Sequence, residues 1–215
     1  MTFLVDSTTY VAKNYDRASD GTPRTITPAG ILLHTGEGTR KGDLAWLSGD
    51  TSGVSCGYYV TRDGMIYQLG PDTRRYWHGG GGHWDGVRDL NLFIGIETEH
   101  RKGQDWPAIQ RAALAWLCRA KITAYAFPLH RIAAHRWAAQ PPGRKSDPSD
   151  WDDEALRAWI AALYAPPSPG DALRDRRRTE LRTLATRLRT AINPTPQIEA
   201  VLDRLEAIDR DVLPA

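Results

Sequence analysis

Three short apolar runs, each ending in a chemically active side chain, set the strongest constraint on how this chain can fold. Ile31-Leu32-Leu33 leads into His34, Phe93-Ile94-Gly95-Ile96 leads into Glu97, and Ile132-Ala133-Ala134 leads into His135. A continuous apolar run of this length, bounded by polar or turn residues, reads as a buried strand. Each run then presents a polar residue at a strand end, facing a cleft. Helical patterns accompany the runs. Ile109, Ala112-Ala113, Trp116-Leu117 and Ala120 recur at helical spacing, and Leu156, Trp159-Ile160 and Leu163 do so again. The combination predicts an α/β fold with a central mixed β-sheet flanked by helices.

The remaining elements follow from local signals. Residues 1–29 read as an irregular entry arm with at most one short strand, and residues 42–49 as a short helix. Val54–Val60 and Met65–Leu69 flank Arg62-Asp63-Gly64, and Asp-Gly between two apolar runs predicts a hairpin. Asp105 is placed to cap the helix that follows Pro107, and Asp150 to cap the last helix of this region. Trp77–Trp84 is a glycine-rich loop without the strand–loop–helix context of a phosphate site, so nucleotide binding is rejected. Cys56 and Cys118 are too few for a disulfide framework and read as two buried thiols.

The composition changes after residue 165. Residues 166–170 are a Pro-rich linker between a first domain over 1–165 and an appendage over 171–215. Leu181, Leu184, Leu188 and Ile192 line one helical face, and Ile198, Leu202, Leu205 and Ile208 a second, with Asn193-Pro-Thr-Pro196 between them. This predicts a C-terminal α-helical hairpin that docks on the first domain or forms a homodimer.

The chemistry concentrates in His135 and the loop Gly143-Arg-Lys145-Ser-Asp147-Pro148. Imidazole and carboxylate are ligands for a borderline metal such as Zn²⁺. A lysine two residues before the carboxylate could stabilise a developing oxyanion. A histidine and an aspartate in one loop are more often solvated than ligating, and Glu97 alone could be an edge carboxylate facing water. His34 as third ligand and Glu97 as base turn the pair into a candidate centre. His83, His100 and His130 have no motif support.

His34-Thr, Gly57-Tyr58, Trp77-His78, Ile94-Gly-Ile-Glu97, His135-Arg and Lys145-Ser-Asp147-Pro148 occur in one order, across roughly residues 10–165. That order resembles the zinc-dependent N-acetylmuramoyl-L-alanine amidases, the group that includes peptidoglycan recognition proteins and short phage amidases. The resemblance implies that His34, His135 and Asp147 hold Zn²⁺ and that Lys145 assists catalysis. It implies Glu97 as general base, or Tyr58 in the same role, and places His78 near the cleft as a substrate contact. The implied reaction is hydrolysis of the amide between N-acetylmuramic acid and L-alanine of the stem peptide. The partner is then peptidoglycan or a muropeptide.

Several classes are excluded or set aside. No His-Glu-x-x-His helix supports a metalloprotease. A formal net charge of +2 gives no case for nucleic acid. No run approaches the roughly 20 apolar residues of a membrane span. The N-terminal residues lack the basic and apolar regions of a secretory signal. The expectation is therefore a phage lysin that sits in the host cytoplasm before release and then acts on the cell wall. A cytosolic muropeptide-recycling amidase is the alternative enzyme, and a non-catalytic peptidoglycan-binding module the alternative class. Retention of all three ligand positions argues for an enzyme.

Overall fold

The computed structural model describes residues 3–164. The expected linker over 166–170 and the expected helical hairpin over 171–215 lie outside the described residues. A six-stranded sheet forms in the order β1-β4-β3-β5-β2-β6. Its strands are β1 (Val5–Asp6), β2 (Ile31–Leu33), β3 (Tyr58–Val60), β4 (Ile66–Gln68), β5 (Ile94–Thr98) and β6 (Ile132–Ala134). The helices are α1 (Arg40–Ser48), α2 (Ala108–Tyr125), α3 (His135–Ala138) and α4 (Asp153–Ala162). The sheet is mixed, as the sequence predicts. β3 and β4 pair antiparallel, while β3 with β5, β5 with β2, and β2 with β6 pair parallel.

The local signals explain most of these elements. β3 and β4 are joined through Asp63-Gly64, and Gly64 takes φ +85°, where a Cβ is disfavoured. In α2, Gln110, Ala113, Leu114, Leu117 and Cys118 are buried at spacings of three and four, the signature of one helical face on a core. The Gln110 amide nitrogen donates to the Val60 and Glu99 carbonyls at 3.2 and 2.8 Å, tying α2 to the sheet. Cys56 and Cys118 are free and buried. No helix among the described residues is long and apolar enough to cross a membrane.

Two caps differ from expectation. Pro107 occupies the N-cap of α2 without a side-chain bond, and Asp105 instead pairs with Arg62 at 2.7 Å. Asp152, not Asp150, caps α4 by accepting from the Ala155 amide at 2.8 Å. Asp150 accepts from His100 Nε2 at 2.9 Å and from the Gly103 amide at 2.6 Å. In both places a nearby donor engages the carboxylate that the sequence offers as a cap.

A polar cluster ties α2 to the loop after β4. Asp72 accepts from Tyr58 Oη at 2.6 Å, Lys121 Nζ at 2.7 Å and Tyr125 Oη at 3.0 Å. Lys121 and Asp72 keep only 15% and 11% of their side-chain surface exposed. Breaking a buried pair from one side strands the other charge, at a cost of about 3–5 kcal/mol. Asp72→Leu is therefore expected to lower unfolding stability by about 3 kcal/mol in urea titration. A loss below about 0.5 kcal/mol would mean that water already screens Lys121.

Candidate metal centre

Sheet register builds the site. Leu33 of β2 pairs with Ile96 of β5 and with Ala134 of β6. The next residue on each strand path is His34, Glu97 and His135. The ladder continues through that step, because the His34 amide donates to the Ile96 carbonyl at 2.9 Å. The three polar residues thus form one row across adjacent parallel strands, which lie about 4.8 Å apart. Two positions back on the same face, Leu32 and Ala133 pack with Leu90, Phe93 and Ala138. The row stands on an apolar floor, and His34 and His135 are buried.

Asp147 reaches the row from the loop between α3 and α4. The Arg136 amide donates to the Asp147 carbonyl at 2.8 Å. On the far side of the aspartate, the Ser149 amide donates to Thr35 Oγ1 at 3.2 Å, and Ser149 Oγ to Glu37 Oε1 at 2.9 Å. The loop is fastened on both flanks of its carboxylate. One oxygen, Asp147 Oδ2, stands 3.0 Å from His34 Nδ1 and 3.0 Å from His135 Nδ1. The ligand atoms of all three residues lie within 4.8 Å of one another.

Hydrogen bonding decides what this cluster can hold. His135 Nε2 lies 2.9 Å from the Gly79 carbonyl, which can only accept, so Nε2 carries the proton. His78 Nε2 lies 3.0 Å from the Phe93 carbonyl, so the neutral His78 ring presents Nδ1 as an acceptor. His34 Nε2 then donates to His78 Nδ1 at 3.1 Å. In their neutral form both metal-site imidazoles therefore aim Nδ1 lone pairs at a carboxylate oxygen. Three lone-pair donors facing one another repel unless a cation sits among them. Two imidazoles and one carboxylate are a donor set for zinc, and ligands about 2.0–2.1 Å from a tetrahedral zinc stand about 3.3–3.4 Å apart. The two distances from Asp147 Oδ2, 3.0 Å each, come within a few tenths of an ångström of that spacing.

Electrostatics agree with neutral ligands. Burial pushes His34 down to about 4. Burial lowers His78 as well, with His34 adding to the effect.

Glu97 is pushed up to about 8 by burial, helped by the charges of Asp147 and Asp43. Its Oε2 is buried without a hydrogen-bond partner among the described residues. Lys145 is exposed and lies close enough for its charge to bias both His34 and Glu97.

Two of the expected site residues depart from their expected roles. Tyr58 pairs with Ile96, one position short of Glu97, so it points to the opposite face of the sheet. There it is fixed by Asp72 and Lys121, and burial with the Asp72 charge pushes its phenol far above the ordinary range. It is not at hand as a base. The tyrosine on the Glu97 face is Tyr59, whose hydroxyl donates to Asp43 Oδ2 at 2.9 Å. His78 stands beside His34, and both its ring nitrogens are engaged within the protein, so neither is free to bond a substrate.

Two residues without a sequence motif support the site. Asn91 Oδ1 accepts from the His78 and Gly79 amides at 3.0 and 2.9 Å. His100 is buried, holds Asp150 and stacks on Trp106 at 4.5 Å, and Trp106 Nε1 donates to the Ser149 carbonyl. Lone polar residues in loops carry no periodicity. Only their position between apolar neighbours, as in Leu90-Asn91-Leu92, hints at burial.

Known proteins share both the sequence and the fold. A family model described as N-acetylmuramoyl-L-alanine amidase matches residues 24–150. The 1,6-anhydro-N-acetylmuramyl-L-alanine amidase AmpD of Citrobacter freundii is 35% identical over 119 residues, covering 54% of this chain and 59% of that protein. N-acetylmuramoyl-L-alanine amidase A of Achromobacter lyticus is 28% identical over 112 residues, covering 50% of this chain and 55% of that protein. The match thus spans a little over half the length of these curated relatives. Among solved structures, an AmpD derivative superposes with a TM-score of 0.60 at 25% identity, covering 76% of this chain and 94% of that one. The amidase AmiD from E. coli, in complex with anhydro-N-acetylmuramic acid-L-Ala-D-gamma-Glu-L-Lys, superposes with a TM-score of 0.55 at 26% identity, covering 74% of this chain and 65% of that one. On a family match over residues 24–150 and a shared mixed-sheet architecture, the chain belongs to the N-acetylmuramoyl-L-alanine amidase family.

Proposed function

We propose that the protein is a zinc-dependent amidase that cleaves the bond between N-acetylmuramic acid and L-alanine in peptidoglycan. The observation that carries this reading is the row of His34, His135 and Glu97, with Asp147 brought to the two imidazoles by its loop. His34, His135 and Asp147 would hold the ion. When bound, Zn²⁺ supplies Lewis-acid polarisation of the amide carbonyl and lowers the pKa of water toward about 7.

The protein's own residues then divide the work. Glu97 Oε2 has no competing hydrogen bond among the described residues, so it can take the proton of the attacking water. Burial raises its pKa to about 8 without an ion, and the positive charge of a bound ion would lower it, leaving a carboxylate that can accept the proton and return it to the leaving amine. Lys145, exposed at the cleft, would stabilise negative charge developing on the carbonyl oxygen. Asp43 and Tyr59 form a fixed pair on the Glu97 face.

Two substrate forms share this bond. One is intact wall peptidoglycan, the substrate of a phage lysin. The other is a soluble anhydro-muropeptide, favoured by the similarity to AmpD, whose name specifies the 1,6-anhydro sugar. Purified peptidoglycan and a synthetic anhydro-muropeptide, each incubated with and without a chelator, separate the two. The expected product is a free stem-peptide amino terminus, formed only when zinc is present. Release of reducing sugar instead would reassign the bond, and equal rates with chelator would remove the metal from the reaction.

A further inference from the structure

The segment Trp77-His78-Gly79 touches both metal-site histidines, and through different atoms. The His78 ring receives the Nε2 proton of His34, and the Gly79 carbonyl receives the Nε2 proton of His135. The segment is itself held by buried groups. Asn91 Oδ1 takes the amide protons of His78 and Gly79 together. Ser55 closes a two-way link with Trp77: the Trp77 amide donates to Ser55 Oγ at 3.0 Å, and the Ser55 amide to the Trp77 carbonyl at 3.0 Å. The His78 ring lies against the bare backbone of β5. A Cβ at Gly95 would come within 2.7–2.8 Å of three ring atoms. The glycine in Ile94-Gly95-Ile96-Glu97 thus makes room for a ring that sets the neighbouring histidine.

We propose that residues 77–79 act as a bracket that fixes both imidazoles as Nδ1 donors to zinc. His78 is the positioning residue for His34, and Asn91 is the bracket's buried anchor. The proposal rests on the zinc reading above and adds what selects the donor atom. An imidazole can offer either ring nitrogen, and the partner of one nitrogen decides which remains for the metal. For His135 the partner is a backbone carbonyl, which no substitution removes. For His34 it is a side chain, whose own tautomer is set by the Phe93 carbonyl at 3.0 Å. The relay from His34 to His78 to Phe93 is a single chain of donors, and it is the part that mutation can reach.

Zinc affinity, measured by competition with a chromophoric chelator, tests this without any substrate. His78→Leu keeps bulk over Gly95 but removes the acceptor, and is expected to weaken zinc binding by about 10–100-fold. His78→Asn supplies a side-chain carbonyl that can accept from His34 Nε2, and is expected to recover most of that loss. Equal weakening in the two variants would overturn the bracket, because packing alone would explain it. Nitrogen-15 NMR of the zinc-loaded wild type provides a check that needs no variant. His78 should be neutral with its proton on Nε2, and a proton on His78 Nδ1 would overturn the relay. Wild-type protein that takes up no zinc would sink the zinc reading. Wild-type protein that binds zinc, with His78→Leu binding as tightly, would sink the bracket alone.

Discussion

Glu97→Gln is expected to keep its zinc and to cleave the amide about 10²–10⁴-fold more slowly, the usual contribution of a positioned general base. The two side chains are nearly isosteric, so the row of His34, Glu97 and His135 should survive. Metal content by elemental analysis and turnover on a muropeptide check the two halves of this expectation. Undiminished turnover would take proton transfer away from Glu97. Tyr58 could not inherit it, since it lies across the sheet.

The same variant reports on the electrostatics of the zinc-free protein. A carboxyl raised from 4.5 to about 8 favours its protonated form in the folded chain. Its contribution to stability is complete below about pH 4.5 and is lost as pH rises through about 8. Glutamine has no charge to lose. The difference in Tm between Glu97→Gln and the parent should therefore grow in the variant's favour from pH 5 to pH 9. A difference that stays flat would mean that Glu97 titrates like an exposed carboxyl.

His135→Ala is expected to abolish zinc retention under dialysis and to remove activity with it. Structural zinc sites bind with about 10–16 kcal/mol, so one ligand of three or four carries about 3–5 kcal/mol. That converts to a loss of about 10²–10⁴ in affinity. The substitution also leaves the Gly79 carbonyl with Arg144 at 3.4 Å and Asp147 facing a single imidazole. Calorimetric titration with zinc measures the loss directly. Affinity within tenfold of the parent would show that the ion is held elsewhere. Far-ultraviolet circular dichroism before titration separates a lost ligand from a lost fold.

Much of this site can be read from the sequence, because three strands each deliver one polar residue after an apolar run. His34, Glu97 and His135 stand out for that reason. What the sequence does not contain is register. Only the pairing of Leu33 with both Ile96 and Ala134 puts the three residues in one row. The same arithmetic explains the misplaced tyrosine. Tyr58 and Tyr59 are adjacent in sequence, and the pleat sends one to each face, so a single step separates the site from the back of the sheet. Asp147 stands out through residue chemistry, a carboxylate two residues after a lysine in a Pro/Gly-rich loop, and not through periodicity, since a loop has no period. The helix starts were less legible, because Asp105 and Asp150 are good caps that found stronger partners in Arg62 and His100. Asn91 works through its contacts with backbone amides, which leave no pattern in a one-dimensional string.

The loop that brings Asp147 to His34 joins residues 113 positions apart in the chain. No local fragment can assemble that pair, and the long closure is among the slowest events a chain of this size must complete. Metal capture therefore acts as a signature of finished folding. A chain cut before Asp147, or one whose last loop has not closed, holds at most two of the three donors, and misses the affinity that comes from holding them together. The centre is in this sense an inspection point for the whole described domain, since an ion can settle there only after its second strand and its last loop have met.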